Sequence, residues 1–344
     1  MGYKLERESG VRIALTYNLK KKDETKPADY FSEFDSQDTI NAIVSTLKAK
    51  GHTVEAIDVE YPNLLSYFRK NRIDMVFNIA EGKCGKFRES EVPAILDYLN
   101  IPYTGSNTFS LALALNKALT KKILHAEDIP TPHFQVFVTG NEELNSNLKF
   151  PLIVKPNREG SAKGINISNV VYTKESLFNK VKETINMYKQ EALVEEFIDG
   201  KELTVGILEN GRTTILPILE IDFSSCAGSG EYFYSWRMKE YQGNTELGLV
   251  PTFHCPARLN KDTEELVKDT ALRTHQAVGC FDISRTDIRL SQDNIPYVLE
   301  INPLPGLDPR ESNFPIMAYA AGMKYDDLIE SILMSAFNRR RELN

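Results

Sequence analysis

The chain has 344 residues, with 41 Lys and Arg against 48 Asp and Glu, for a net charge of −7. That balance excludes a nucleic-acid partner held by general electrostatic attraction, and no run approaches the roughly 18 unbroken apolar residues needed to span a bilayer. At 42% hydrophobic and 26% charged, the composition is that of a globular protein, and the length predicts two or three domains.

In chain order, the opening MGYKLERESGVRIALTYN lacks the apolar centre of a secretory leader. Residues 11–17 read as a strand, and Asp35 or Ser36 caps a helix running to Lys50, where Gly51 ends it. Residues 53–59 form a second strand, 63–72 a short helix, 73–78 a third, buried strand, and 89–99 a helix ahead of the loop IPYTGS. Strands alternating with helices at this spacing predict a parallel sheet covered on both faces. No GxGxxG follows the first strand, which counts against a dinucleotide-binding dehydrogenase.

Near residue 115 the pattern changes. A helix over 115–126 leads to DIPTP, then to strands at 133–138 and 150–155 and a helix over 174–190. Residues 192–197 and 203–208 read as strands joined in a hairpin around Asp199-Gly200, and a strand over 213–221 follows Asn210-Gly211, since such dipeptides favour left-handed turns. The expected domains are 1–115, 116–191 and 192–344. Residues 223–250, rich in Gly, Ser and aromatics without a clear period, read as a lid or binding loop. Cys84, Cys226, Cys255 and Cys280 are scattered without a CxxC, so a reduced, cytoplasmic protein is expected. The histidines have no metal-ligand spacing, and Arg339-Arg340-Arg341 reads as a solvated helix end.

The segment ISRTDIRLSQDNIPYVLEIN, residues 283–302, is the most informative. Two alternating runs flank SQDN, so a hairpin with the two-residue turn Asp293-Asn294 places Asp287 opposite Glu300 and Arg285 opposite Asn302. One face then carries Thr286, Ile288, Leu290, Tyr297, Leu299 and Ile301 as a packing surface. The other carries Arg285, Asp287, Arg289, Val298, Glu300 and Asn302. Carboxylates directly across a ladder repel, so something must offset them. Either Arg285 or Arg289 neutralises them as a surface ion-pair cluster, or Asp287, Glu300 and Asn302 hold a hard cation such as Mg²⁺.

In FPLIVKPNREGSAKGINI an apolar strand ends in Lys155, and Gly160 and Gly164 let backbone N–H groups approach an anion closely. It is not a Walker A loop. Taken singly, Lys117 and Lys239 read as ordinary solvated lysines.

Together, the strings IPYTGSNTFSLALALNKALTKKIL, FPLIVKPNREGSAKGI, LVEEFIDGKELTVGIL, SRTDIRL and YVLEINPLPGL resemble the D-alanine–D-alanine ligase branch of the ATP-grasp superfamily. The resemblance implies a multidomain α/β and α+β protein: an ATP-grasp fold preceded by a Rossmann-like parallel sheet. It implies an ATP-dependent carboxylate–amine ligase working through an acyl phosphate, with ATP and one or two Mg²⁺, for which Mn²⁺ can substitute. By the same resemblance Lys117 and Lys155 contact ATP phosphates, Glu195, Glu196 and Phe197 meet adenine, and Glu202 holds the ribose. Asp287, Glu300 and Asn302 are the metal ligands, Arg285 stabilises charge on the reacting carboxyl group, and Ser161 and Gly164 belong to the loop over the triphosphate. Lys239 is the lid lysine, and Ser312 with Gly306 holds the acceptor substrate. Amino-acid substrates and a homodimer are the implied partners.

The sequence departs from that family where amino acids are recognised. The Gly-Gly-x-Ser-x-Glu loop after the first strand is replaced by TYNLKKKDETK, and His-Gly-x-x-Gly-Glu-Asp-Gly by NIAEGKCGKFRESE; Glu240 stands where a tyrosine follows the lid lysine. Glu33, Asp35, Glu81 and Glu89 are the carboxylates available to replace the missing ammonium ligand. Two further functions fit the sequence: loading an amino acid onto a carrier-protein thiol, and regulatory nucleotide binding without chemistry.

Overall fold

The computed structural model describes residues 10–60 and 63–343; residues 1–9, screened above for a leader, lie outside the described residues, as do Tyr61, Pro62 and Asn344. Strands β1 (Arg12–Tyr17), β2 (Thr53–Asp58) and β3 (Met75–Asn78) form a parallel sheet in the order β2-β1-β3. Its helices are α1 (Gln37–Ala49), α2 (Leu64–Lys70) and α3 (Glu91–Leu99). Ser36 is the cap of α1, its hydroxyl accepting from the Thr39 N–H at 3.2 Å. Ile13, Leu15, Met75 and Phe77 point into one core, whereas Ala14 and Val76 join Ile57, Phe68 and Leu96 in another. Both sheet faces are therefore dry, which explains the unbroken apolar runs.

The helix expected over 115–126 is α5 (Lys117–Ala126), and a further helix that the sequence reading missed, α4 (Thr108–Leu115), precedes it across Asn116. Asn116 caps α5 by accepting from the Leu119 N–H at 3.2 Å. In α4, TFSLALAL, Ser110, Leu111, Leu113, Ala114 and Leu115 are all buried, so the helix shows no polar face for periodicity to detect.

Strands β4 (Phe134–Phe137), β5 (Leu152–Pro156), β6 (Val170–Val171) and β7 (Ala192–Glu196), with α6 (Lys174–Tyr188), make an antiparallel sheet ordered β4-β7-β5-β6. The expected boundary at 191/192 thus cuts this sheet, because β7 is its second strand. A second antiparallel sheet contains β8 (Gly200–Glu209), β9 (Thr213–Ile215), β10 (Leu219–Asp222), β11 (Thr252–His254), β12 (Ile283–Ser291) and β13 (Pro296–Asn302). Its order is β11-β10-β8-β12-β13, with β9 also on β8. The hairpin expected around Asp199-Gly200 is absent: β7 and β8 belong to different sheets. Pro217, which has no N–H to donate, interrupts the strand expected over 213–221. Helices α7 (Trp236–Glu240), α8 (Lys261–Val278), α9 (Asn313–Ala320) and α10 (Tyr325–Leu343) complete the order. None is long and apolar enough to cross a membrane.

The β12–β13 register has Arg285 opposite Asn302 and Asp287 opposite Glu300, as expected, but the route to it differs. The turn holds three residues, Gln292 to Asn294, with Asn294 in the left-handed region (φ 59°), and the Ser291 N–H donates to the Ile295 carbonyl at 3.0 Å. A bulge beyond Asp287 skips Leu299, so Ile288 pairs with Val298. The longer turn and the bulge cancel at the site and differ between them. Val298 therefore joins Ile288 and Leu290 in a buried cluster, whereas Tyr297 and Leu299 are only partly buried, a correction to the expected packing face.

The end of the chain is not a free helix tip. Arg339 donates to the Tyr103 and Gly105 carbonyls at 3.0 and 3.2 Å and pairs with Asp282 at 2.9 Å. The Arg340 and Arg341 side chains lie outside the described residues. Helix α10 packs on α1, and Leu328, Ile329, Ile332 and Leu333 share one core with Ile13, Leu15 and Ile43.

Gly200 shows why glycine is needed between the sheets: at φ 148°, an added Cβ would lie 2.0 Å from the Leu290 carbonyl oxygen. Gly200→Ala is expected to cost about 2–4 kcal/mol through this clash and the unfavourable backbone. Urea denaturation should show the midpoint falling without a change in slope.

Candidate functional site

A cavity of about 570 Å³ opens between the end of β3 and strands β8, β10, β12 and β13. Its walls include Lys117, Gly160, Ser161, Glu202, Lys239 and Arg285, and also Asp287, Glu300, Asn302, Gly306 and Ser312. Eleven separately predicted residues thus converge. Lys155, Gly164, Glu195, Glu196 and Phe197 do not line it.

The hairpin supplies the most ordered wall. Arg285 grips Asp287 with two hydrogen bonds, Nε to Oδ1 at 2.9 Å and Nη2 to Oδ2 at 2.7 Å. Asn302 Nδ2 adds a bond to Oδ2 at 3.0 Å and Thr204 Oγ1 one to Oδ1 at 2.7 Å. Across the ladder, Glu300 is held by Lys117 at 3.1 Å. The repulsion between the facing carboxylates is therefore offset by one cation each. Lys117, followed by Lys155 and Arg285, holds the Glu300 carboxyl down at about 2 against the cost of burial. Burial lowers the Arg285 pKa, but Asp287 and Glu300 outweigh it, leaving the guanidinium above its usual range. Arg289, the other expected neutraliser, is elsewhere: it pairs with Glu202 at 3.2 Å and sits over the Phe197 ring. Thr204 was missed by the sequence reading because its role exists only through the β8–β12 register.

Lys117 is buried, not the solvated lysine expected of it in isolation; its Nζ also donates to the Glu159 carbonyl. Behind the hairpin, Lys155 and Lys121 converge on one carboxylate, Glu195, at 2.9 and 3.2 Å, all three buried. Two cations against one anion leave positive charge facing Glu300, and the proximity of like charge and burial bring Lys121 down to about 8. Lys121 was also missed. The segment expected to meet adenine is engaged within the protein: the Glu196 and Phe197 N–H groups donate to the His133 and Pro151 carbonyls at 3.0 Å each. The Glu196 side chain accepts from the Lys149 N–H.

The lid segment is folded around Cys226, Met238 and Leu249. Ser235 caps α7, and the Trp236 N–H donates to the Ile165 carbonyl at 2.9 Å. This docks the lid on the glycine-containing loop and brings Lys239 Nζ to 2.6 Å from Ser161 Oγ. Lys239 faces the cavity, yet the protein around it, with Arg285, lowers its ammonium to about 8. On the opposite rim, Ser312 Oγ accepts from the Asp308 N–H at 3.0 Å. A side chain at Gly306 would meet that hydroxyl at 2.8 Å.

The unmatched segment after β1 straps the two loops together. Glu33 accepts from the Gly160 N–H at 2.6 Å and from Arg88 at 2.6 Å; Asp29 accepts from the Gly164 N–H at 3.2 Å. The N–H groups expected to seek phosphate do bind anions, but these are carboxylates of the same chain. Ser32 Oγ accepts from the Trp236 indole at 2.8 Å, and Lys20 pairs with Glu240 at 3.1 Å. The four carboxylates named as replacement ammonium ligands all line the cavity. Arg88, buried among them, was missed; in FRESE it is an arginine ahead of two glutamates, with no motif around it.

A family model described as "D-ala D-ala ligase C-terminus" matches residues 123–334. A D-alanine–D-alanine ligase of Carboxydothermus hydrogenoformans is 34% identical over 313 residues, 88% of this chain and 94% of that protein. The chain belongs to the D-alanine–D-alanine ligase family. It is thereby an ATP-dependent carbon–nitrogen ligase with the ATP-grasp fold. An uncharacterised protein y4sG of Sinorhizobium fredii is 35% identical over 268 residues, 77% of this chain and 75% of that one. Among solved structures, the ligase of Bacillus anthracis complexed with ATP matches with a TM-score of 0.74 and 27% identity, over 97% of this chain and 100% of that one.

Glu33 gives a pH test of the strap. Burial raises its pKa, but Arg88, Lys163 and the Gly160 N–H together hold it below the usual carboxylate value of 4.5. Its stabilisation is present above the unfolded pKa and is lost as pH falls through the folded one. Glu33→Gln should therefore cost about 2–4 kcal/mol at pH 7. The gap between variant and parent, measured by urea denaturation, should narrow steadily below pH 4.5.

Proposed function

We propose that this enzyme joins the carboxylate of one amino acid to the amine of another in two steps. The first substrate's carboxylate attacks the γ-phosphorus of ATP, giving an acyl phosphate and ADP; the amine then attacks the acyl carbon and expels phosphate. Negative charge develops on oxygen in both steps, so a ring of fixed cations suits both. The observation that carries the reading is the convergence of Arg285, Lys117 and Lys239 with Asp287, Glu300 and Asn302 on one cavity.

The residues present fit ATP with Mg²⁺. Asp287, Glu300 and Asn302 offer only hard oxygen donors, and the Lys121–Lys155–Glu195 cluster leaves positive charge unmatched behind them. In this reading Asp287, Glu300 and Asn302 hold one or two Mg²⁺, with Mn²⁺ as a substitute; the bound ion neutralises phosphate charge. Arg285 orients the reacting carboxyl group and meets the charge that develops on it. Lys239, shared with Ser161, takes the terminal phosphate, and Lys155 is released from Glu195 toward the phosphates. Glu202 holds the ribose beneath the 192–197 strand. The lid, docked on the 158–164 loop through Trp236, keeps water from the acyl phosphate.

Ser312 and Gly306 border the same cavity as Arg285, which favours a small amine as acceptor over a carrier-protein thiol. The relatives are named for D-alanine, but the carboxylate wall replaces that family's recognition segments, so D-alanine is not the substrate we assign. A homodimer in the cytoplasm completes the reading, supported by the family and by four free cysteines.

Asp287→Asn is expected to lower turnover about 1,000-fold or more while the protein stays folded by circular dichroism, its melting temperature falling because Arg285 loses its charged partner. Arg285→Ala should lower kcat about 100-fold and leave the KM for ATP nearly unchanged. The deciding measurement is ADP release from amino acids offered singly and in pairs, with and without Mg²⁺. Release that needs both an acid and an amine supports ligation. Tight ATP binding with no release from any pair overturns it in favour of a regulatory nucleotide-binding role.

A further inference from the structure

Every cation around the cavity except Lys239, whose Nζ donates to Ser161 at 2.6 Å, can be matched to an anion. Arg88 serves Glu33 at 2.6 Å and the Arg158 carbonyl at 2.8 Å. Lys163 serves Glu159 at 2.7 Å, Lys117 serves Glu300 and Arg285 serves Asp287. Lys20 serves Glu240. Besides the exposed Glu311, three carboxylates are left over. Among the described residues, the side chains of Asp35, Glu81 and Glu89 make no hydrogen bond and no ion pair, and all three line the cavity. Glu89 is the sharpest case, being 9% exposed with its carboxylate unpartnered. An unanswered buried carboxylate is costly unless a ligand completes it.

The backbone is built to hold this wall. Asn18, buried, accepts from the Glu81 and Gly82 N–H groups at 2.9 and 3.1 Å and donates to the Gly82 carbonyl at 2.9 Å. Gly82 has φ 80°, and a side chain there would lie 1.9 Å from the Arg88 carbonyl oxygen. Only glycine allows the loop to fold back so closely, and that fold sets Glu89 beside Glu81. One carboxylate oxygen from each of Glu33, Glu81 and Glu89 lies within 4.8 Å of the others. A single ammonium group can therefore bridge Glu81 and Glu89, and Asp35 stands further along the same cavity.

A neutral amino acid cannot answer three unpaired carboxylates, because its one ammonium group arrives with a carboxylate of its own. We infer that this wall receives a substrate with two cationic nitrogens, a diamino acid whose side-chain amine and α-ammonium are shared among Glu81, Glu89 and Asp35. The inference rests on the ligase reading and names its first substrate class. The electrostatics agree with it: burial and the neighbouring Glu89 raise Glu81 well above 4.5, burial and Glu33 bring Glu89 to about 7 against the pull of Arg88, and burial with Asp308 brings Asp35 to about 7. A divalent ion is the less suitable occupant, since Arg88 already holds Glu33 and sets a positive charge at that corner.

The test is ADP release by the full chain with ATP and Mg²⁺. Both enantiomers of 2,3-diaminopropionate, ornithine and lysine are compared with alanine, norvaline and norleucine, each alone and with a second amino acid as acceptor. A diamino acid should exceed the uncharged amino acid of similar length by about 30-fold or more in kcat/KM. Glu81→Gln and Glu89→Gln should each lower kcat/KM for the diamino acid about 10-fold or more beyond their effect on the uncharged amino acid of similar length. Melting temperatures show that the variants fold, and Asp35→Asn serves as a third probe if either glutamate variant does not. Uncharged substrates used as well as diamino acids would overturn the inference and leave the ligase reading intact. So would variants that change only the Mg²⁺ dependence, since the wall would then hold a second ion. No release from any pair, despite ATP binding, would remove the ligase reading and this inference with it.

Discussion

Asp287 and Glu300 face each other across a β-ladder, and two like charges so placed are stable only when each has its own cation. Arg285 and Lys117 meet that requirement from opposite sides, one from the same strand and one from a helix some 170 residues earlier in the chain. The rest of the architecture follows from bringing those four groups together. Sheet β11-β10-β8-β12-β13 fixes Asp287 through Thr204 on β8. The break at Asn116 makes Lys117 the first residue of α5 and so aims it inward. Removing any one of these supports would leave a buried charge without its partner, a larger penalty than the loss of a surface ion pair.

The second organising element is the strap that follows β1. Its Tyr30, Phe31 and Phe34 rings pack on one another, and its position is set by bonds reaching far along the chain, such as Glu33 to Gly160 and Ser32 to Trp236. Through these bonds one polar segment touches both the glycine-containing loop and the lid. Its own carboxylates occupy the N–H groups that an incoming anion would use. Nucleotide entry and the arrangement of the strap are therefore linked, because an anion at Gly160 competes with Glu33 for the same donor.

The β12–β13 hairpin was legible in the sequence because side-chain alternation is local and survives small errors. Its turn is one residue longer than expected and its opposite strand carries a bulge, and the two displacements cancel at Asp287 and Glu300. Beyond the bulge they do not, which is why Val298 and not Leu299 packs in the core. Helix α4 was illegible for the opposite reason, since its exposed position, Phe109, is as apolar as its buried ones and leaves no period to read. The Asp199-Gly200 pair carries a hairpin signal, but Gly200 serves a close approach to Leu290, a fact visible only once β8 and β12 are paired. Arg88, Lys121 and Thr204 have no local signature. Their roles come from contacts between distant segments.

The C-terminal helix has a consequence for how such proteins diversify. Helix α10 shares a core with β1 and α1, and Arg339 latches it to Gly105 and Asp282. The first hundred residues are thus finished on one side by the last twenty. Exchanging the amino-terminal portion between relatives as a cassette would strand half of that core, so new specificities must arise by substitution within the strap and the 81–91 loop, or by co-inheritance of both chain ends.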